Sequence, residues 1–374
     1  MIATMTPASP RFVGATDPPS GAVVLSRFAC LRRDGGRLVL DSPLATARVE
    51  ILDLLPVVVI ASLTRPATAE SVAGELGVND ITVVAALLGM FRAAGLVTDV
   101  DADGTNAEDR DPARQRWELA DLALHQRSRG DRTDQRLGGT FRFAENLQPL
   151  APLKPPMSGT KIELHRADLA ALKLHDVSLT SAMEDRKSIR RHGSTPISVK
   201  QLGEFLDRAA GLRPAREMKY DGVPYDIRHR VYPGGGACHP LEIYVAARRC
   251  DGLAPGLYHY EAGAHALELL RADSSEVTTL LMSTATMMDD REPPQLLIVL
   301  TARFGRLSWK YEGIAYALLL KEVGVVFEAM YLVATAMGLA PCAVGAGDAA
   351  HFARLIGSDP LEESSVGEFL LGSL

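Results

Sequence analysis

Two stretches of this 374-residue chain concentrate side chains and backbone that could do chemistry. The first is "DRKSIRRHG", where Arg186, Lys187, Ser188 and Arg190 place cations and a hydroxyl within one turn or loop. Guanidinium forks and a hydroxyl donor suit the oxygens of a phosphate, although a solvated basic face has the same composition. The second is "VYPGGGACHPLE", residues 231–242, where Gly234, Gly235 and Gly236 strip a loop of side chains. Such a run is kept for a tight turn or for close approach of a ligand, and alone it equally fits an ordinary loop. Together the two stretches point to a cofactor with a phosphate tail and a flat ring. There is no G-x-G-x-x-G between a strand and a helix and no Walker lysine, so Rossmann and P-loop sites fit poorly. Cys30, Cys238, Cys250 and Cys342 are scattered without a C-x-x-C pair. That pattern fits reduced thiols in a cytoplasm, with no disulfide frame and no zinc site. Cys238 and Cys342 read as small buried or loop residues rather than redox groups.

The elements that must hold these residues are interleaved. The length favours two domains, and 47% hydrophobic with 23% charged residues is ordinary for a globular chain. A net charge of -6 argues against a general nucleic-acid binder, and no long apolar run predicts a membrane span or a signal peptide. Residues 1–22 are polar and Pro-rich and are expected to form a disordered tail. Residues 23–99 read as a small winged-helix domain. "RFACLRRDGGRLVLDSP" is a hairpin signal, "ARVEIL" a third strand, and three helical stretches follow, one capped by Thr68 and ended by Gly77. Residues 100–160 read as an acidic linker, an amphipathic helix at 117–125 and the extended "LQPLAPLKPPMSG". Residues 161–374 carry a capped helix in "SVKQLGEFLDRAAGL", buried strands such as "PPQLLIVLTAR", and a long apolar helix interrupted by Lys321, Glu322 and Glu328. Without a regular βαβ rhythm, the class is α+β.

Several motifs, in one order, resemble the SagB-type (McbC-like) dehydrogenases of the flavin-dependent nitroreductase superfamily. "WELADLALHQRSR…GGTFRF" is similar to the helix and linker before their catalytic domain. "RKSIR" resembles their FMN phosphate motif, "VYPGGGACHPLEIYV" their Pro-Ser-Gly-Gly loop, and "GLYHYEAGAHALELL" their Tyr-His-Tyr hairpin. "KYEGIAYALLLKEVG…MYLVATAMGLAPCAVGAGD" resembles their Lys-Tyr motif, core helix and flavin-contacting strand. "LLGMFRAAGLVTDV" resembles the end of PqqD-like domains, which bind the leader of a precursor peptide; a winged helix used only for packing or dimerisation has the same outline.

The resemblance implies a nitroreductase-like domain with a central mixed sheet flanked by helices, an intertwined homodimer, and FMN at its interface. It implies FMN phosphate at Arg186, Lys187, Ser188 and Arg190. It places the ring edge along Pro233, Gly234, Gly235 and Gly236, and the ring face by Ala343, Val344, Gly345 and Ala346, with the Gly345 N–H on flavin N5. It implies Lys310 and Tyr311 as the catalytic pair, with no metal. The implied reaction aromatises a thiazoline or oxazoline in a ribosomally made precursor peptide, as in thiopeptide biosynthesis. It takes a proton from Cα and a hydride from Cβ, with oxygen as final acceptor and a cyclodehydratase as partner. A tyrosine beside a lysine can favour the phenolate, which makes Tyr311 the base and Lys310 its activator, or the reverse. The chain departs from the family at Gly234, Cys238, Ala317 and Val325, where Ser, Arg, Arg and His are common. It also lacks basic C-terminal residues. Those departures keep open an NAD(P)H-dependent nitro or quinone reductase and a non-catalytic scaffold subunit.

Overall fold

The structure is a computed structural model and describes residues 1–157, 159–214 and 228–374. It divides into two compact units, Met1–Gly138 and Gly139–Leu374.

The first unit carries the expected hairpin. Cys30–Asp34 and Arg37–Asp41 pair antiparallel around Gly35 and Gly36, both at positive φ (57° and 93°) where glycine carries no Cβ penalty. Ala47–Ile51 follows as the third strand. Three helices then pack beneath: Leu54–Ser62, Ala69–Leu76 and Ile81–Ala94. Thr68 caps the second, reciprocated by Ser71, and Gly77 ends it in the left-handed conformation. Val97–Asp99 closes the unit by pairing with Val23–Leu25.

The expectation of a disordered tail is corrected at one point. Ala3–Pro7 is a strand, and the sheet has four strands rather than three. Ala3 and Met5 pack on the core at alternate positions, with Thr4 and Thr6 between and beyond them, and that alternation supports a strand.

The second unit is built on a seven-stranded sheet. Its order is Leu339–Val344, Glu363–Ser373, Leu296–Arg303, Leu241–Ala247, Gly256–Glu261, Ala266–Ala272 and Lys161–Glu163. Every neighbouring pair is antiparallel, which corrects the expected mixed sheet. The cause is local: Leu241–Ala247, Gly256–Glu261 and Ala266–Ala272 are successive hairpin strands, not crossover units. The central strands Leu241–Ala247 and Leu296–Arg303 are buried throughout, matching their continuous apolar runs. Two helices cover one face. Val199–Ala210 is capped by Ser198 and Gln201 and buries Leu202, Phe205, Leu206 and Ala209. Ala315–Ala336 is the long apolar helix.

The proline-rich stretch does not stand apart as a spacer. Buried Trp309 donates to the Leu147 carbonyl (2.6 Å) and buried Arg306 to that of Leu150 (2.5 Å), so it is tied into the second unit. Among the described residues, no helix is long and apolar enough to cross a membrane.

Candidate functional site

The glycine loop and the Lys-Tyr pair are brought together. After a turn at Gly235–Ala237, Gly236 and Ala237 sit at φ 57° and 54°, and His239 at φ 41°. Ala237 and His239 are non-glycine residues at positive φ, and such strain clusters at working sites. Lys310 is buried and its ammonium donates to the Gly236 carbonyl (3.3 Å), with the rings of Phe141 and Tyr311 at 5.8 and 5.4 Å. Tyr311 opens a short strand, Tyr311–Glu312, and packs over Gly139.

Glycine is required in this loop for contacts inside the protein. A Cβ on Gly236 would lie 2.2 Å from the Tyr311 hydroxyl and 2.6 Å from the Lys310 ammonium. One on Gly234 would meet Glu322 Oε2 and His239 Nδ1, both at 2.8 Å, and one on Gly235 would press on Leu318 at 3.3 Å. Pro233 leads into the loop, exposed. Its far end is fixed by the Arg306 guanidinium, which donates twice to the Cys238 carbonyl (3.1 and 3.0 Å).

Beneath the loop lies a buried pair: His239, the alternative base that its place directly after the glycine loop suggests, and Glu322, which sequence reasoning did not connect to it. His239 Nδ1 is 3.3 Å from Glu322 Oε1, and His239 meets the Tyr232 ring edge-on at 5.4 Å. Glu322 Oε2 and the Tyr232 hydroxyl are buried with no hydrogen-bond partner among the described residues. Burial pushes the Tyr232 phenol well above its usual range. A glutamate breaking an apolar helix was the available signal.

The basic motif meets the "CAVGA" turn. Arg186 ends the helix Leu179–Asp185 and lies over the Tyr331 ring at 5.2 Å. Ser188 Oγ is 2.7 Å from Tyr331 Oη, which accepts from the Ala343 N–H (2.8 Å). The Ile189 N–H donates to Pro341. Either hydroxyl can be the donor in the Ser188–Tyr331 bond. Arg186, Lys187 and Arg190 are exposed, and no ion pair joins them to a carboxylate among the described residues. Ala343 and Val344 lie in the strand, while Gly345 and Ala346 form an exposed turn with open space beside Gly345.

Both halves sit on one helix. Leu318 and Glu322 of Ala315–Ala336 touch the glycine loop, and Tyr331 touches the basic motif. Glu322 and Tyr331 are nine residues apart, roughly 14 Å along a helix axis.

Burial raises the thiols of Cys342 and Cys250, the latter to about 12, which fits inert cysteines. The Tyr-His-Tyr hairpin is structural: His259 lies between Glu268 (3.0 Å) and Glu242 (3.3 Å) inside the sheet. Among the described residues no cluster suits a metal.

His192, just past the basic motif, accepts from the Gln295 N–H through Nδ1 (3.1 Å), and burial pushes it down to about 4. A histidine with a depressed folded-state pKa contributes stability above its unfolded value near 6.5, and that contribution is lost as pH falls toward 4. Its ring resonances are therefore expected to titrate near pH 4 by NMR; a midpoint near 6.5 would contradict the burial.

The profile described as the nitroreductase family matches residues 183–372, and that of the cyanobactin oxidase ThcOx matches residues 23–134. MJ1384 of Methanocaldococcus jannaschii, named as a nitroreductase, is 29% identical over 188 residues, covering 50% of this chain and 86% of that protein. The trifolitoxin-processing protein TfxB of Rhizobium leguminosarum bv. trifolii is 26% identical over 145 residues, covering 38% of this chain and 39% of TfxB. A crystal structure of an Anabaena variabilis protein described as a nitroreductase superposes with a TM-score of 0.47 at 24% identity, covering 66% of this chain and 45% of that one.

Proposed function

Because this chain belongs to the nitroreductase family, we propose that it is an FMN-dependent dehydrogenase that oxidises thiazoline or oxazoline rings in a ribosomally made peptide to thiazole or oxazole. The ThcOx match over residues 23–134 and the similarity to a trifolitoxin-processing protein support a peptide substrate. The observation that carries the reading is the Lys310–Tyr311 pair seated on Gly236. A simple nitro reductase has no need of a base for a carbon acid.

The residues present fit FMN. Arg186, Lys187 and Arg190 are exposed cations without carboxylate partners among the described residues, beside the Ser188 hydroxyl, a set suited to the oxygens of a phosphate. The Gly345 amide lies in an open turn and donates to no described group. Bound FMN supplies the two-electron acceptance that no side chain offers. Tyr311 takes the Cα proton of the azoline. Lys310, anchored through the Gly236 carbonyl, holds its charge near the Tyr311 ring and favours the phenolate. The N-terminal unit receives the peptide. We place the enzyme in a cytoplasmic homodimer working with a cyclodehydratase, oxygen being the final acceptor.

Arg186→Ala is expected to weaken FMN retention at least tenfold, since each charge-assisted bond contributes roughly 1.5–3 kcal/mol. Equilibrium dialysis of parent and variant checks this, and equal retention would remove Arg186 from the phosphate site. The function itself is tested by anaerobic mixing with a thiazoline-containing peptide. Bleaching of flavin absorbance by the peptide alone supports it. Bleaching by NAD(P)H but not by peptide makes the protein a reductase, and a colourless purified protein makes it a scaffold.

A further inference from the structure

Residues 139–143, the "GTFRF" that opens the second unit, lie across the Lys310–Tyr311 pair. The Phe141 N–H donates to the Lys310 carbonyl (3.2 Å). Its ring meets buried Trp309 edge-on at 5.8 Å, and the Lys310 ammonium stands 5.8 Å from the ring centre. On either side of it, the Thr140 hydroxyl donates to Glu312 (3.1 Å) and Arg142 pairs with the same carboxylate at 3.8 Å. Gly139 passes the Tyr311 ring, which a Cβ would meet at an ordinary 3.8 Å. The turn that follows continues the grip. The Leu147 N–H donates to Phe143 (2.8 Å), and the Leu147 carbonyl receives the Trp309 indole N–H (2.6 Å). Each of residues 309–312 is therefore touched by this one stretch.

Phe141 sits at φ 50°. For a bulky side chain that conformation is strained, whereas glycine adopts a positive φ freely, as Gly138 does three residues earlier at 105°. Strain of this kind persists only where the surroundings over-determine it. Here the surroundings are the catalytic pair. The Lys310 ammonium is met by the Gly236 carbonyl (3.3 Å), the Tyr311 ring (5.4 Å) and the Phe141 ring. A lysine stem is flexible, and an aromatic face within about 6 Å attracts its cation. The Phe141 ring therefore narrows the places the ammonium can occupy, while the Phe141 N–H fixes the backbone that carries it.

We propose that Phe141 is a positioning residue for Lys310, and that residues 139–142 form a strap that holds the Lys310–Tyr311 pair against the glycine loop. The effect on turnover rests on the function proposed above; the strap itself does not.

The test compares the full chain with its Phe141→Leu and Phe141→Tyr variants. Leucine removes the ring and keeps the backbone N–H, and tyrosine keeps the ring. Acetic anhydride labels the lysines, and peptide mapping by mass spectrometry reads Lys310 against exposed Lys200 in the same sample. Buried Lys310 is expected to acetylate roughly tenfold or more faster in Phe141→Leu than in the parent, as for a locally opened segment, and at the parental rate in Phe141→Tyr. Single-turnover bleaching by a thiazoline peptide is expected to slow by roughly 10- to 100-fold at saturating peptide in Phe141→Leu, the scale of a small misplacement. The half-saturating peptide concentration should stay at the parental value, and Phe141→Tyr should restore the rate. A ring that served packing alone would lower the unfolding temperature and leave both readouts unmoved. Equal acetylation of Lys310 in the parent and in folded Phe141→Leu overturns the strap, and a Phe141→Tyr as slow as Phe141→Leu overturns the role of the ring. Should Phe141→Leu not fold, Phe141→Met, an adaptable gap-filler without a ring, decides by the same readouts. If the peptide bleaches none of the proteins, the parent included, the azoline reading falls and acetylation still decides the strap.

Discussion

Tyr311→Phe is expected to slow azoline oxidation by about 10²–10⁴-fold, the range for loss of a general base. Phenylalanine keeps the ring that packs over Gly139 and removes only the hydroxyl set against Gly236. Cofactor retention should be unchanged, because the basic motif meets Tyr331 rather than Tyr311. Lys310→Met keeps the stem and removes the cation, so the rate should recover only toward higher pH, where the phenolate forms unaided. The double variant should be little slower than the slower single one, since the two residues act as a unit. Single-turnover bleaching of the flavin by a thiazoline peptide, followed against pH, measures all three. A Tyr311→Phe enzyme that bleaches as fast as the parent moves the base elsewhere. His239, buried beside Glu322 at the end of the same loop, is the next candidate.

Gly236→Ala is expected to cost nearly as much activity, at least 10²-fold, without touching either catalytic side chain. The new methyl would stand 2.2 Å from the Tyr311 hydroxyl and 2.6 Å from the Lys310 ammonium. Both are the far ends of long side chains, so they yield and the backbone stays. The fold should therefore survive, at a cost of roughly 1–2 kcal/mol for alanine at positive φ. A small loss in thermal unfolding temperature beside a large loss in single-turnover rate is the expected signature. Full activity in the alanine variant would mean that the pair does not work from the position seen against Gly236.

These expectations rest on features that differ in how readable they were from sequence. The phosphate motif could be read because charge and hydroxyl stand next to each other in the chain. The buried strand Leu296–Arg303 could be read from its unbroken apolar run, and the helix Val199–Ala210 from its cap and periodicity. The reason for the glycines could not. Reading them as clearance for a ring was natural, but what each Cβ would strike belongs to residues 310, 311, 318, 322 and 239, and no local pattern announces such meetings. Ala3–Pro7 was missed because a short Thr-rich strand looks like a tail until its partner, over forty residues away, is known. Tyr331 was hidden for the opposite reason: one aromatic in a long apolar helix looks like core. Its hydroxyl sets it apart, through bonds to Ser188 and Ala343 that only the fold creates.

The helix Ala315–Ala336 acts as a ruler. Glu322 marks one end of the site on it and Tyr331 the other. A single residue inserted between them would turn Tyr331 by about 100° and advance it by about 1.5 Å. That would carry its hydroxyl away from Ser188 and Ala343 while leaving the glycine loop in place. The spacing between these two residues is therefore fixed independently of their identities. An insertion or deletion tolerated by the site is expected only outside this stretch, in the turn before Ala315 or after Ala336.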